Sequence, residues 1–197
     1  MEKLYNRLQR TYLDTITALA AIIDAKDGYT NGHSHRLSKY AVGIAIGLGL
    51  GESHVKVIEY AGKLHDIGKI ATPDYILNKP GKLTPDEWVE MKAHSLRGAA
   101  IIEPLEFLKE VVPIVRHHHE RFDGKGYPGR LKGKRIVLGA RILAVADAFE
   151  AMTTDRPYQK SRNIEEAKEE LMKNKNSQFD PKVVDVFLGI SDNINLN

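Results

Sequence analysis

The chain has 197 residues, with 29 Lys and Arg against 26 Asp and Glu, eight His and no Cys. A chain of this length is expected to form one domain and to bury roughly 70% of its unfolded surface, so it needs no cross-links. The lack of cysteine excludes a disulfide framework, a thiolate zinc site, an iron–sulfur cluster and a cysteine nucleophile. Nitrogen and oxygen chemistry remains, with the histidines as suppliers. A net charge of +3 lacks the dense basic stripe of a DNA-binding domain, so no DNA partner is expected. The charged start, Met1 to Arg7, leads into no signal-peptide core. The longest apolar stretch, Ala41 to Gly51, falls short of the ~20 residues of a membrane span. A cytoplasmic protein is expected.

The pattern is helical almost throughout. Leu4, Leu8, Tyr12, Ile16, Leu19 and Ile23 recur at steps of three and four and draw one apolar face. This first helix either packs on the domain or continues a coiled coil from an upstream sensor. Residues 1–14 are read as that linker or coiled-coil extension, 15–190 as the domain and 191–197 as a tail. A second helix is expected over Ser34 to Leu48 and a third from about Ser53 to Ile67. Thr84-Pro85-Asp86-Glu87 is a capping box with proline in the first turn, Asn163-Ile164-Glu165-Glu166 is a second helix start, and Asp180-Pro181 is a third. Between Arg121 and Arg135 lies a loop punctuated by Gly124, Gly126, Gly129 and Gly133. No alternating β-branched run marks a strand. The expected fold class is all-α, a compact bundle of about seven or eight helices.

The chemistry begins at His65-Asp66, which follows an apolar helical segment. A carboxylate there must be paired or bound to a metal, because an isolated buried charge is costly. Asp147 interrupts the apolar run Ile142 to Phe149 and is either a buried ion pair, with Arg141 for example, or a metal ligand. His117-His118-His119 follows the apolar segment 111–115 at a helix end, where two of the three imidazoles can face a metal. His33 and His94 sit near predicted helix starts, while His35, His54 and His117 read as bystanders. His33, His65, Asp66, His94, His118, His119 and Asp147 are too many ligands for one ion and suit two. Two ions bridged by one carboxylate form the arrangement used for in-line phosphoryl displacement. Without sulfur the set suits Fe or Mn, with Zn, Co and Ni also compatible. Lys69, three residues after Asp66, is either solvated or placed to neutralise a substrate phosphate.

His65-Asp66-Ile67-Gly68-Lys69 and His118-His119-Glu120-Arg121-Phe122-Asp123-Gly124-Lys125-Gly126-Tyr127-Pro128 together resemble the HD-GYP family, the HD-type metal-dependent phosphohydrolases that degrade cyclic di-GMP. The segments 76–84, 144–149 and 154–158 are similar to the family as well, so the resemblance runs from about Thr15 to Leu188. It implies an HD-type helical bundle in which His33, His65, Asp66 and Asp147 hold one ion. Asp66 then bridges to a second, held by His94, His118 and His119. It also implies that Asp66 and Lys69 are catalytic and that Lys69 and Arg156 contact the dinucleotide. Tyr29 replaces the glutamate of three-metal members, so two ions are expected. Gln159 followed by Lys160 displaces the second basic residue of the phosphate site by one position. Tyr127 stacks on a guanine or faces a protein partner. Glu120, Asp123, Gly126 and Pro128 orient ligands or shape the loop, beside the basic cluster Lys125, Arg130, Lys132, Lys134 and Arg135.

The implied reaction is hydrolysis of cyclic di-GMP to pGpG, and onward to GMP, by water activated between the metals. The alternatives are a catalytically silent module that binds a cyclic dinucleotide or a partner, and a hydrolase of another nucleotide. Implied partners are cyclic di-GMP, a diguanylate cyclase-type (GGDEF) or upstream sensor domain, and a second copy of the chain through the first helix.

Overall fold

The computed structural model describes residues 2–26, 32–155 and 161–191. Among these the α-helices are α1 Glu2–Lys26, α2 His33–Gly47, α3 Glu52–Leu64, α4 Asp74–Leu77, α5 Pro85–Lys92, α6 His94–Ile102, α7 Val112–His117, α8 Leu138–Thr153, α9 Ile164–Lys173 and α10 Pro181–Ile190. Eight of them have eight residues or more, and α4 and α7 are short additions. Short 3-10 turns cover Ile67–Ala71, Glu106–Leu108 and Gly133–Arg135. The described residues contain no strand beyond an isolated bridge between Lys175 and Phe179. No described helix is long and apolar enough to cross a membrane.

The helix starts follow local chemistry. At Thr84 and Asn163 both halves of a capping box are present, the side chain accepting from Glu87 N–H and Glu166 N–H respectively. Asp180 accepts from Lys182 N–H, with Pro181 in the first turn of α10. The hub is α2, which packs on α3, α8 and α10. Leu37, Ala41 and Ile44 from α2, Ala61 and Leu64 from α3, and Ile142, Leu143 and Val145 from α8 are all sealed from solvent. Tyr40, Phe149 and Phe187 lock α2, α8 and α10 through edge-to-face contacts with ring centroids 4.7–6.0 Å apart. The apolar face of α1 is only partly covered: Ile16, Ala20 and Ile23 are buried, Tyr12 stacks on Phe107, and Leu8 is left half exposed.

The third helix stops earlier than its sequence suggests. It ends at Leu64, and the chain tightens into the 3-10 turn Ile67–Ala71. The reason is a backbone approach: a Cβ on Gly68 would lie 1.9 Å from the His94 carbonyl oxygen and 2.5 Å from Gly98 N. The turn is thus pressed directly onto α6, which a side chain would forbid. Replacing Gly68 by Ala is expected to cost about 3 kcal/mol through forced separation of these backbones. For a chain of this size that lowers the thermal midpoint by roughly 6–12 °C, readable by circular dichroism.

Candidate metal centre

The seven side chains singled out in the sequence come from four helix ends and one helix interior, and they meet at one point. His33 opens α2, His65 and Asp66 close α3, His94 opens α6, and His118 and His119 follow α7. Asp147 projects from α8. His33, His65, Asp66, His94 and His118 are buried, and His119 is half-buried.

One local device orients three of the imidazoles. His65 Nδ1 donates to the Gly62 carbonyl at 2.9 Å, His94 Nδ1 to Met91 at 2.7 Å and His118 Nδ1 to Val115 at 2.7 Å. Each acceptor lies in the last turn of a helix, where carbonyls lack intrahelical partners. A carbonyl can only accept, so Nδ1 carries the proton and Nε2 points inward with a lone pair when the ring is neutral. His33 is aimed differently, with Nδ1 2.5 Å from Glu150 Oε2.

The inward nitrogens crowd around Asp66. His65 Nε2 lies 3.2 Å from Asp66 Oδ2, and His94 Nε2 lies 3.3 Å from Oδ1, so the two oxygens face two different groups. His33 Nε2 is 3.4 Å from His65 Nε2 and 3.6 Å from Asp147 Oδ1. His94 and His118 bring Nε2 atoms within 3.3 Å. The geometry forms two overlapping ligand sets, His33–His65–Asp66 and Asp66–His94–His118–His119, each with donor atoms within 4.8 Å of one another. Asp66 belongs to both. Asp147 stands beside the first set, and the Arg141 considered as its ion-pair partner binds Asp180 instead.

Electrostatics separates the groups. Burial alone would raise the Asp66 carboxyl, but His65 and Lys69 hold it well below the usual range. Burial opposes charge on His65 too, yet Asp66 pushes that imidazole up to about 9. On the other side, desolvation and neighbouring imidazoles push His118 well down and His119 to about 3. Desolvation lowers His94 as well, against the pull of Asp66. These three rings are therefore neutral at physiological pH, the form a metal requires.

Lys69 lies in the 3-10 turn rather than on a continuing α-helix, and its ammonium folds back to Asp66 Oδ2 at 2.8 Å. Tyr127 stacks near His119 with ring centroids 4.9 Å apart. Glu120 is buried and accepts from Gly129 N–H at 2.6 Å and Leu131 N–H at 3.1 Å, which pins the glycine-rich loop. Asp123 accepts from Arg121 and from Lys125 N–H and takes no part in the cluster. Gly126 is required by space, since a Cβ there would lie 2.3 Å from Arg121 N. Pro128 follows a cis peptide bond. His35 and His54 are exposed, and His117 lies 3.4 Å from Glu120 outside the cluster. Tyr29, Arg156, Gln159 and Lys160 lie outside the described residues.

The residue that sequence reasoning missed is Glu150. It is 1% exposed, accepts from Arg36 Nη2 at 2.6 Å and Thr154 Oγ1 at 3.0 Å, and faces His33. Burial would raise its carboxyl, but His33 and Arg36 hold it down at about 2. The available signal was its spacing, three residues after Asp147 on one face of α8.

Comparison with known proteins places this arrangement. A family model described as the HD domain matches residues 17–183. The cyclic di-GMP phosphodiesterase response regulator RpfG of Xanthomonas campestris is 42% identical over 93% of this chain and 49% of its own length. A cyclic di-GMP phosphodiesterase of Thermotoga maritima is 36% identical over 98% of this chain and 53% of its own. A 3'3'-cGAMP-specific phosphodiesterase of Vibrio cholerae is 38% identical over 92% of this chain and 35% of its own. The chain thus spans about half the length, or less, of these relatives. Among solved structures, a cyclic GMP-AMP-specific phosphodiesterase of V. cholerae shares the fold, with a TM-score of 0.73 at 22% identity over 91% of this chain and 48% of that one. The HD domain of the L. monocytogenes phosphodiesterase PgpH does so with a TM-score of 0.61 at 17% identity, over 89% of this chain and 98% of its own. This chain belongs to the HD domain family, in its HD-GYP form.

Proposed function

We propose that the chain is the catalytic unit of a metal-dependent phosphodiesterase that opens cyclic di-GMP to linear pGpG and carries it on to GMP. The observation that carries this reading is Asp66, whose two oxygens face different imidazole sets and so suit a carboxylate shared by two cations. The donor set fits: every ligand is nitrogen or oxygen, and three of the imidazoles are held neutral by their surroundings. Fe and Mn are the natural occupants. His33, His65, Asp66 and Asp147 would hold one ion, and Asp66, His94, His118 and His119 the other. When bound, such ions supply Lewis acidity to a water and to the phosphate oxygens.

The chain's own groups do the rest. The Nδ1–carbonyl bonds hold the rings in one orientation, so little reorganisation remains when substrate arrives. Glu150 holds His33 from behind and is itself held by Arg36. Lys69, after His65, helps keep Asp66 ionised and supplies a cation beside the centre for a phosphate. Tyr127 packs its ring against His119 at the edge of the centre.

Residues 15–190 are taken as the catalytic unit, with 1–14 as a connection to a sensor or a second copy. The exposed cations Lys125, Arg130, Lys132, Lys134 and Arg135 offer a surface for an acidic partner such as a GGDEF domain. A cytoplasmic setting suits this substrate. 3'3'-cGAMP is the second reading, because relatives named for it are 38% identical, within the 32–42% range of those named for cyclic di-GMP.

Protein loaded anaerobically with Mn(II) or Fe(II) should convert cyclic di-GMP to pGpG in a chromatographic assay and lose that activity in EDTA. Metal-loaded protein that binds the dinucleotide without turnover would instead identify a silent binding module, and faster turnover of 3'3'-cGAMP would favour the second reading. Asp66→Ala should lower kcat roughly 1,000-fold and reduce the metal content measured by mass spectrometry. Retained turnover would sink the shared-carboxylate reading. Glu150→Gln should weaken metal binding roughly 10–100-fold in calorimetric titration while the fold persists.

A further inference from the structure

Helix α5 contributes no buried residue to the core, yet it is firmly held. A capping box fixes its start, Lys79 pairs with Glu87 at 2.6 Å, and Glu90 pairs with Arg97 of α6. It carries Trp88, the only tryptophan in the chain, and Lys92 one turn later on the same face. Trp88 is 48% exposed. Lys92 Nζ lies 5.8 Å from the Trp88 ring centroid and 5.4 Å from that of Tyr127, so the ammonium stands between two aromatic faces. Among the described residues no carboxylate pairs with it.

These groups continue a row of rings that starts at the centre. His118 and His119 have centroids 4.0 Å apart, and His119 and Tyr127 are 4.9 Å apart. Lys92 and then Trp88 extend the row outward to solvent. The row is rigid at its join, since α5 ends at Lys92 and His94 Nδ1 donates to the Met91 carbonyl in the last turn of α5. A ligand with a phosphate at the centre would meet this row with the group attached to that phosphate.

We propose that Trp88 and Lys92, with Tyr127, form a guanine subsite for the dinucleotide whose phosphate is cleaved at the centre. This rests on the phosphodiesterase reading above. Aromatic rings bind a base through its π-face whatever its identity. Lys92 adds discrimination: its ammonium is a pure donor, and guanine presents two acceptors, O6 and N7, where adenine presents N7 beside an amino donor. The subsite thus favours guanine over adenine.

The single tryptophan makes the subsite directly readable. In stopped-flow fluorescence on metal-loaded protein, cyclic di-GMP should change Trp88 emission saturably within the first turnover, and ribose 5-phosphate should not. Trp88→Ala should raise KM about tenfold with a much smaller effect on kcat, and Trp88→Tyr should restore most of the affinity. Lys92→Met should reduce the preference for cyclic di-GMP over cyclic di-AMP, as a ratio of kcat/KM, by about tenfold. Cyclic di-GMP that binds by equilibrium dialysis without altering Trp88 emission would overturn the subsite alone, as would a Trp88→Ala protein whose KM is unchanged. Failure of any cyclic dinucleotide to bind or be cleaved would instead overturn the phosphodiesterase reading.

Discussion

The arrangement depends on one buried carboxylate. Asp66 lies under the surface with an imidazole facing each oxygen and an ammonium folded over one of them. Taking such a charge out of water is unfavourable unless its surroundings compensate. Here that compensation requires α3, α6 and the 3-10 turn to converge. The close approach of Gly68 to His94 and Gly98 makes this convergence possible. The same contact that sets the packing of α6 therefore sets the distance between His94 and Asp66.

Helix ends are the second element of the design. Carbonyls in the last turn of a helix, at Gly62, Met91 and Val115, each accept from an imidazole three residues later. Two requirements are met by one bond: the helix end is capped and the ring is fixed with Nε2 inward. The fourth orientation, at His33, uses a charged acceptor instead, the Glu150 carboxylate. Glu150 serves from α8, and Arg36 one turn along α2 keeps it ionised. Binding geometry and helix stability are coupled through these caps.

The cluster also shows how burial divides chemically identical groups. His65 and His118 are both buried imidazoles bound through Nδ1 to a carbonyl. One is pushed up because Asp66 outweighs its burial, and the other down because burial and then the neighbouring imidazoles both disfavour its charge. Glu120 and Asp123, two acids of one signature, are divided in a similar way. Glu120 turns inward to fasten the loop from Gly129 to Leu131, while Asp123 pairs with Arg121 nearer the surface.

Much of the site was legible in the sequence because its residue types are rare in such places. A His-Asp pair after an apolar helix, imidazoles past a helix end and an acid in an apolar run each demand compensation, whatever the fold. Helix starts at Thr84, Asn163 and Asp180 were legible too, since capping is a contact between residues two or three apart. Glu150 was not, because its partners His33 and Arg36 lie 117 and 114 residues away in the chain. The end of α3 at Leu64 and the return of Lys69 to Asp66 were not legible either. They follow from a backbone contact between Gly68 and α6 that no local pattern encodes. The sequence by itself determined which groups must be paired or ligated and where helices begin, because those are local demands of burial and hydrogen bonding. Only the tertiary structure decided which groups meet, which oxygen of Asp66 faces which ring, and which acid stands behind His33, because those are distances between helices.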